Sequence, residues 1–462
     1  MIHKLFFGLS LNILLFSCDS KPKEQTGIFL GGQITNPSSR SVTLYQGNQN
    51  IETLELDDQL RFQKRFDSLG SGIYKLEHLP EYQTTLLEKG DSLWVRINAV
   101  AFDESIFYSG NGASKNNFLM ELVLKQESEN RFLSNKFSKT SEVFNRILDS
   151  LLLEKKQLWI QMDSVIKLSP IAQKVTQAAY IYHYANIRER YALLRGMQWD
   201  EEENDFFFRY REFLNYSDND LAFFDPYINY ILNFISNEAL KHNQSYFQEK
   251  KTSDFSIRRL TELDQKISGD LLRNNLARAI AFEEILTFEN HDQHDLFLQY
   301  YATVNSSNAY LSEVLTLRSD INGMGPKKQL PEIKLQNVTR DIVSSNSLTN
   351  GKTTIIYFWS QTQMNHYKNT LERVRMFQKE YPQLRFVGIC IQPFNLMVKQ
   401  VQKMMGINIE NQFAIIDFEK ASKAWVLTLL NKSIIINNKG QIIDGFENFS
   451  NNNIEMLLKE LK

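Results

Sequence analysis

Apolar and polar positions along this chain fall into four regimes. Residues 5–16 form an apolar run, broken only by Gly8, Ser10 and Asn12 and preceded by Lys4. Residues 27–110 carry short apolar segments, several with period two, at 28–30, 42–45, 51–56, 60–63, 73–76, 84–87 and 93–97. Asn36-Pro37-Ser38-Ser39, Gly47-Asn48, Asp57-Asp58 and Lys89-Gly90-Asp91 punctuate them. That rhythm predicts strands joined by turns, in a small antiparallel sandwich. Between 115 and 320 the period lengthens to that of a helix. Tyr180, Tyr184, Ile187, Tyr191 and Leu194 share one predicted face; Val143, Ile147, Leu151 and Leu158 mark another, and Tyr227, Ile231 and Phe234 a third. A tyrosine stripe of this kind reads as a core face with hydroxyls at its rim rather than as a ligand platform.

Ile321-Asn322-Gly323-Met324-Gly325-Pro326-Lys327-Lys328 is rich in breakers and predicts a boundary. Beyond it, strand patterns at 353–359, 384–391, 413–416, 433–436 and 442–446 alternate with helical patterns at 365–381, 394–405, 420–427 and 454–461. Asn438-Lys439-Gly440 supplies a hairpin turn with glycine where positive φ is easy. The order is that of an α/β layer fold with a mixed sheet. The chain is thus expected to be multidomain: an N-terminal segment over 1–17, a polar stretch over 18–26, a β-sandwich-like domain over 27–114, a central α-helical domain over 115–325, and a C-terminal α/β domain over 326–462.

Composition narrows the functional classes. With 52 basic and 54 acidic side chains in 462 residues the net charge is −2, which excludes nucleic-acid binding driven by charge alone. A hydrophobic fraction of 42% with 12% aromatics supports a large folded core. Two cysteines exclude a disulfide-dense scaffold and a cysteine zinc cluster.

The run over 5–16 is shorter than the roughly 20 apolar residues of a membrane-spanning helix and fits a secretory signal. It ends Leu15-Phe16-Ser17-Cys18, which resembles a bacterial lipobox: an aliphatic residue, a small residue, then cysteine. The resemblance implies lipidation at Cys18, with 18–26 as a flexible tether to the membrane. No later stretch reaches about 18 uninterrupted apolar residues.

Two further resemblances rest on longer motifs. Lys89-Gly90-Asp91-Ser92-Leu93, followed by Ser109-Gly110-Asn111-Gly112-Ala113-Ser114-Lys115-Asn116-Asn117-Phe118-Leu119, resembles the β-rich DUF4369-type domain that precedes thioredoxin-like domains in many Gram-negative lipoproteins. Leu330-Pro331-Glu332-Ile333-Lys334-Leu335 looks like the opening strand of TlpA-like and peroxiredoxin-like thioredoxin folds. The stretch from Leu348 through Gly351-Lys352 to Phe358-Trp359 looks like their approach to the active site, and Ile436-Asn437-Asn438-Lys439-Gly440-Gln441-Ile442 like their late hairpin.

The thioredoxin resemblance implies a thiol pair, Cys-x-x-Cys, at a helix start just after Phe358-Trp359. There the helix-end N–H groups lower a thiol pKa and the thiolate attacks. In this chain the two positions fall on Gln363 and His366, and the family's cis-proline falls near Asn431. Glutamine forms neither a thiolate nor a mixed disulfide. Cys390, in the apolar strand around Phe386-Val387-Gly388-Ile389, reads as a buried small hydrophobe.

Other candidates carry less. His366 has the pKa range of an acid or base, with no serine, cysteine or carboxylate beside it in a catalytic pattern. His291 and His294 have a metal-ligand spacing but sit in a polar helix start and read as solvated. Gly31-Gly32 and Gly70-Ser71-Gly72 lack a following phosphate-loop lysine. Residues 200–205 form an acidic run expected at the surface.

The resulting expectation is a lipid-anchored protein of the cell envelope, at the outer membrane facing the periplasm. Its thioredoxin-like domain would be redox-inactive and would bind other cell-envelope proteins, as in an outer-membrane complex. No catalytic residue, cofactor, metal or nucleic acid is expected. The alternative is a TlpA-like thiol-disulfide oxidoreductase.

Overall fold

The computed structural model describes residues 27–79, 81–99, 101–195, 201–240, 244–286, 291–361, 363–394, 408–451 and 453–461. Residues 1–26, which include the predicted signal segment, Cys18 and the predicted tether, lie outside the described residues, as do Asp200 of the acidic run and most of the helix predicted over 394–405.

The N-terminal strands are β1 (Ile28–Thr35), β2 (Ser41–Gln46), β3 (Gln49–Glu55), β4 (Arg61–Phe66), β5 (Gly72–His78), β6 (Glu81–Leu87), β7 (Ser92–Asn98) and, after a short helix α1 (Phe102–Ser105), β8 (Phe107–Asn111). They form two four-stranded sheets, ordered β4-β1-β7-β8 and β3-β2-β5-β6. Alternate residues such as Leu93, Val95 and Ile97 turn inward and are buried, which is what period two dictates. One correction concerns topology: β1 runs parallel to β7, so the sandwich is mixed rather than antiparallel. A parallel pair needs a long crossover, and here the chain builds the opposing sheet between the two strands.

The helical region comprises α2 (Ala113–Ser134), α3 (Ser141–Ile166), α4 (Pro170–Arg195), α5 (Glu201–Phe208), α6 (Asp225–Ala239), α7 (Tyr246–Glu249), α8 (Ser253–Lys266), α9 (Asp270–Leu286), α10 (His291–Val304) and α11 (Asn308–Gly323). It begins at Ala113, and α11 continues into the predicted breaker as far as Gly323. Tyr180, Tyr184, Ile187 and Tyr191 are buried as the stripe predicts, whereas Leu194 is 41% exposed. On α3 the predicted face is offset: Val143 is 41% exposed while Phe144, Leu148 and Lys155 are buried. At 3.6 residues per turn these three lie within about 40° of one another, so the true stripe includes a charge.

Buried charges tie the helices together. Lys155 on α3 is fully buried and pairs with Glu129 on α2. The Tyr184 hydroxyl donates to the same carboxylate at 2.6 Å. Glu189 on α4, also fully buried, accepts from Arg211 at 2.6 and 2.8 Å, from the Tyr210 hydroxyl at 2.6 Å and from Asn237 at 2.6 Å. Full hydrogen bonding is what allows a carboxylate to sit there.

The C-terminal region holds β9 (Lys334–Asn337), β10 (Ile342–Ser344), β11 (Thr354–Trp359), α12 (Met364–Glu380), β12 (Arg385–Cys390), β13 (Gln412–Ile415), α13 (Phe418–Trp425), β14 (Lys432–Ile436), β15 (Ile442–Asn448) and α14 (Asn453–Glu460). Among the described residues these strands form a seven-stranded sheet ordered β10-β9-β13-β12-β11-β14-β15. β11, β12 and β13 are parallel; β14 is antiparallel to β11, and β15 to β14. The opening strand starts four residues later than Leu330, because Pro331 lacks an N–H and its carbonyl instead accepts from Trp425 Nε1 at 2.7 Å. Gly440 turns the late hairpin at φ +78°.

All six residues of β11 are buried, as the central strand of a covered sheet requires. Ile355, Tyr357 and Trp359 face α12 and α14 in one apolar cluster. Ile356 and Phe358 face the other way and join Trp425 in a cluster that runs through the helical region to Ile73 and Leu86 of the sandwich. The helical region therefore shares its core with both neighbours. Among the described residues no helix is long and apolar enough to cross a membrane.

Candidate functional site

Strand order puts the C-terminal ends of three parallel strands at one edge of the sheet, where open α/β folds bind ligands. β11 leads from Trp359 into the loop before α12, and Gln363 is the exposed N-cap of that helix, with no side-chain capping bond. His366 lies in the first turn. Both its ring nitrogens are shielded from solvent and lack a hydrogen-bond partner among the described residues. Burial pushes its pKa below the ordinary imidazole value, which favours the neutral ring. Beneath the helix start, Trp359 stacks on Tyr367 at 3.9 Å between ring centroids. Asn431 immediately precedes β14, and its carbonyl accepts from the Phe449 N–H at 2.8 Å.

Cys390 is fully buried at the end of β12. Its thiol donates to Gln392 Oε1 at 3.5 Å, and burial pushes its pKa up to about 12. At neutral pH such a thiol is ionised in only about one molecule in 10⁵. Around it, an amide network joins the loops after β11 and β12. Gln392 Nε2 donates to Ser360 Oγ at 2.8 Å, the Gln361 N–H donates to Gln392 Oε1 at 2.9 Å, and Gln361 Nε2 donates to the Pro393 carbonyl at 2.7 Å. The structure thus brings Gln363 and His366 to one helix end and holds Cys390 inside the sheet.

Two features at this edge escape a linear reading. The first is Lys432, buried one residue after Asn431. Its ammonium donates to the carbonyls of Trp425 at 2.6 Å and Val426 at 3.0 Å, and lies 4.0 Å from the centroid of the Phe446 ring. It caps the C-terminus of α13, where Val426 takes φ +49°. Burial pushes its pKa down to about 7. A lysine leading into Ser433-Ile434-Ile435-Ile436 was the one available signal.

The second is a cleft of about 630 Å³ between the sandwich and the ends of β12 and β13. Ser38, Ser39 and Arg40 line one side; Gln392, Asp417 and Glu419 line the other. The 37–40 loop is fixed by buried His78, whose Nε2 accepts from the Ser38 N–H at 3.0 Å while Nδ1 donates to the Ser41 carbonyl at 3.0 Å. Asp417 caps α13 by accepting from the Lys420 N–H at 3.0 Å. Sequence alone marks Asn36-Pro37-Ser38-Ser39 as a turn and says nothing of what the turn faces.

The histidines at 291 and 294 differ from the solvated pair the sequence suggests. His294 is buried rather than solvated, with Nε2 3.8 Å from Glu284, and the side chain of His291 lies outside the described residues. Among the described residues no group of three His, Cys, Asp or Glu is placed to hold a metal ion.

No protein-family model matches the chain, and no curated protein matches it in sequence. Solved structures similar to it include three that cover 26–30% of this chain. The thioredoxin domain of a thiol-disulfide oxidoreductase from Bacteroides vulgatus is 16% identical, with a TM-score of 0.25 over 29% of this chain and 98% of that one. A thiol:disulfide interchange protein from a Bacteroides species is 16% identical, with a TM-score of 0.23 over 26% of this chain and 81% of that one. An uncharacterized thioredoxin-like protein from Porphyromonas gingivalis is 20% identical, with a TM-score of 0.25 over 30% of this chain and 94% of that one. By its own strand order and directions the C-terminal region is a mixed α/β sheet.

Proposed function

We propose that this chain is a lipid-anchored cell-envelope protein whose thioredoxin-like domain binds protein and does not exchange disulfides. In this reading Cys18 carries the lipid, the tether leads to the fold, and the protein faces the periplasm from the outer membrane within a protein complex. One observation carries it: Gln363 and His366 lie at the helix start, where the thioredoxin resemblance leads one to expect thiols, while Cys390 is buried. Disulfide exchange needs an accessible thiolate and normally a second thiol to resolve the mixed disulfide. The cleft between the 37–40 loop and the strand ends, lined also by Ile416, offers a concave surface for a polypeptide.

The test has two arms. Full-length protein is assayed for thiol-dependent insulin reduction against a control without protein; no excess turnover is expected, and turnover lost on Cys390→Ala would favour the oxidoreductase alternative. Cross-linking in detergent-solubilised membranes then compares wild type with Arg40→Glu and Ile416→Glu. A cross-linked partner lost in both variants supports the cleft as the binding face. Cys18→Ala is expected to move the chain out of the membrane fraction, and a chain that remains there argues against the anchor.

A further inference from the structure

The sandwich sheet β4-β1-β7-β8 turns its outer face to solvent. Residues that alternate with the buried Leu30, Phe62, Val95 and Tyr108 point that way. Strand register fixes the pattern across the face. Trp94 on β7 stands between Gly31 on β1 and Ser109 on β8. A Cβ built on Gly31 would come within 2.8 Å of the Trp94 ring, so only glycine lets the indole lie down against the sheet. Two residues along β7, Arg96 stands between Gln33 and Phe107, and Gln33 stands beside Arg61. Two residues the other way along β1, Phe29 stands between Arg65 and Ser92.

The face has one sign. None of the outward positions on its four strands is acidic, and Arg61, Arg65 and Arg96 are basic. Arg65 meets Asp67, just past the end of β4, at 3.1 Å. Arg61 and Arg96 are exposed and have no ion pair among the described residues. Phe107 is 60% exposed, and Trp94 and Phe29 are half-buried. Aromatic rings among unanswered guanidinium groups are the side chains of a membrane–water interface. The rings sit at headgroup depth, and arginine forks meet phosphates. A neutral saccharide would use the rings and leave the arginines idle.

The N-terminal chain enters the fold at this sheet. Gly27 lies against Arg65 and Asp67, and its carbonyl accepts from the Gly90 N–H at 3.0 Å. Residues 18–26, fully extended, span about 30 Å. From Gly27 the eight residues of β1 rise about 26 Å. A lipid on Cys18 would hold the whole face within reach of a bilayer, and at that range a face of low intrinsic affinity suffices.

We propose that this face lies on the anionic lipid surface to which the chain is anchored. Arg61 and Arg96 meet headgroup phosphates, and Trp94, Phe29 and Phe107 enter the headgroup layer. The proposal rests on the lipid anchor of the preceding section for its reach, and on the face itself for its chemistry.

The test places a nitroxide on Ser109→Cys in the full-length chain, reconstituted in vesicles of phosphatidylethanolamine and phosphatidylglycerol. Ile342→Cys, at an exposed position on β10, is the reference, and the chain without either substitution gives the background. Collisions with oxygen relative to those with a nickel chelate read depth. Expected is a higher ratio at 109 than at 342. It should fall to the 342 value in Arg61→Glu with Arg96→Glu, in high salt, and on phosphatidylcholine alone, with thermal melting unchanged. Arg61→Gln with Arg96→Gln serves where the charge reversal does not fold. Equal ratios at 109 and 342 overturn the proposal, as does a raised ratio that the arginine substitutions leave unchanged. A label at 109 that is immobilised yet open to the nickel chelate in native membranes would put a protein on this face and overturn it too. The anchor is read separately: fractionation after a high-salt wash strips chains held by charge alone and reports on Cys18.

Discussion

The Lys115 ammonium lies 2.7 Å from the Asp91 carboxylate, and both side chains are buried. Asp91 ends the turn before β7, and Lys115 stands in the first turn of α2. Glu88 completes the cluster at 2.5 Å from the same ammonium. Two neighbours extend the clamp. Asn116 accepts from the Leu86 N–H at 2.8 Å and donates to the Leu86 carbonyl at 3.0 Å. Asn117 does the same for Tyr108, at 2.8 and 2.9 Å. The two amides complete the outer edges of β6 and β8, one in each sheet, and so dock the helix on the sandwich. The motif Lys115-Asn116-Asn117 is a joint between domains.

Lys115→Met should therefore destabilise the chain by about 3 kcal/mol, since it strands the buried Asp91 carboxylate and the partly buried Glu88. Asn116→Ala should cost about 2 kcal/mol by leaving both main-chain groups of Leu86 unpaired. Denaturant midpoints measured by circular dichroism check both. A shift below about 0.5 kcal/mol in either variant would mean that the joint carries little of the stability.

How much of this was legible depends on how local each cause is. The all-buried β11 reads as an unbroken apolar run, and Gly440 declares its turn, because both causes lie within a few residues. The position of Gln363 and His366 at a helix start follows from Phe358-Trp359 for the same reason. The parallel β1–β7 pair joins strands more than fifty residues apart in sequence, and no local pattern announces it. Ile147, Leu151 and Leu158 of the predicted α3 face do pack against the core, but the buried stripe reaches on to Lys155, and the carboxylate that makes this tolerable is Glu129 on another helix. The cleft beside the 37–40 loop is made by elements that meet only in three dimensions.

Lys432 predicts a pH dependence. Its folded pKa of about 7 lies below the ordinary lysine value near 10.4. Between those two values the unfolded chain binds the extra proton, so stability rises with pH across that window. Below about pH 7 both states are charged and the penalty of the buried ammonium is fully present. Urea midpoints for wild type and Lys432→Met, taken from about pH 7 to about pH 9.5, should differ in slope by more than about 1 kcal/mol over the range. Parallel curves would show that Lys432 keeps its ordinary pKa in the fold.

Cys390 predicts a kinetic signature. With the thiol shielded and its pKa pushed up to about 12, a water-soluble disulfide reagent should react with the native chain at least about 10³-fold more slowly than in denaturant. The native rate should follow global unfolding as denaturant is added. Rapid native labelling would place the thiol at the surface and reopen a redox role.

The last prediction asks whether the helix start still has the geometry of a thiol site. Gln363 and His366 are three residues apart at the N-terminus of α12, so two thiols there would share one face and feel the helix-end N–H groups. The exposed position at Gln363 suits an attacking thiol, and the more enclosed position at His366 suits the resolving one. Gln363→Cys with His366→Cys should reduce insulin above both wild type and a control without protein. Gln363→Cys alone should form a mixed disulfide with glutathione and not turn over, because nothing resolves it. Turnover should stay low, since Asn431 stands where the thioredoxin resemblance leads one to expect a proline beside the thiols. A double variant that neither oxidises to an internal disulfide nor turns over would show that this helix end has lost the site's geometry along with its cysteines.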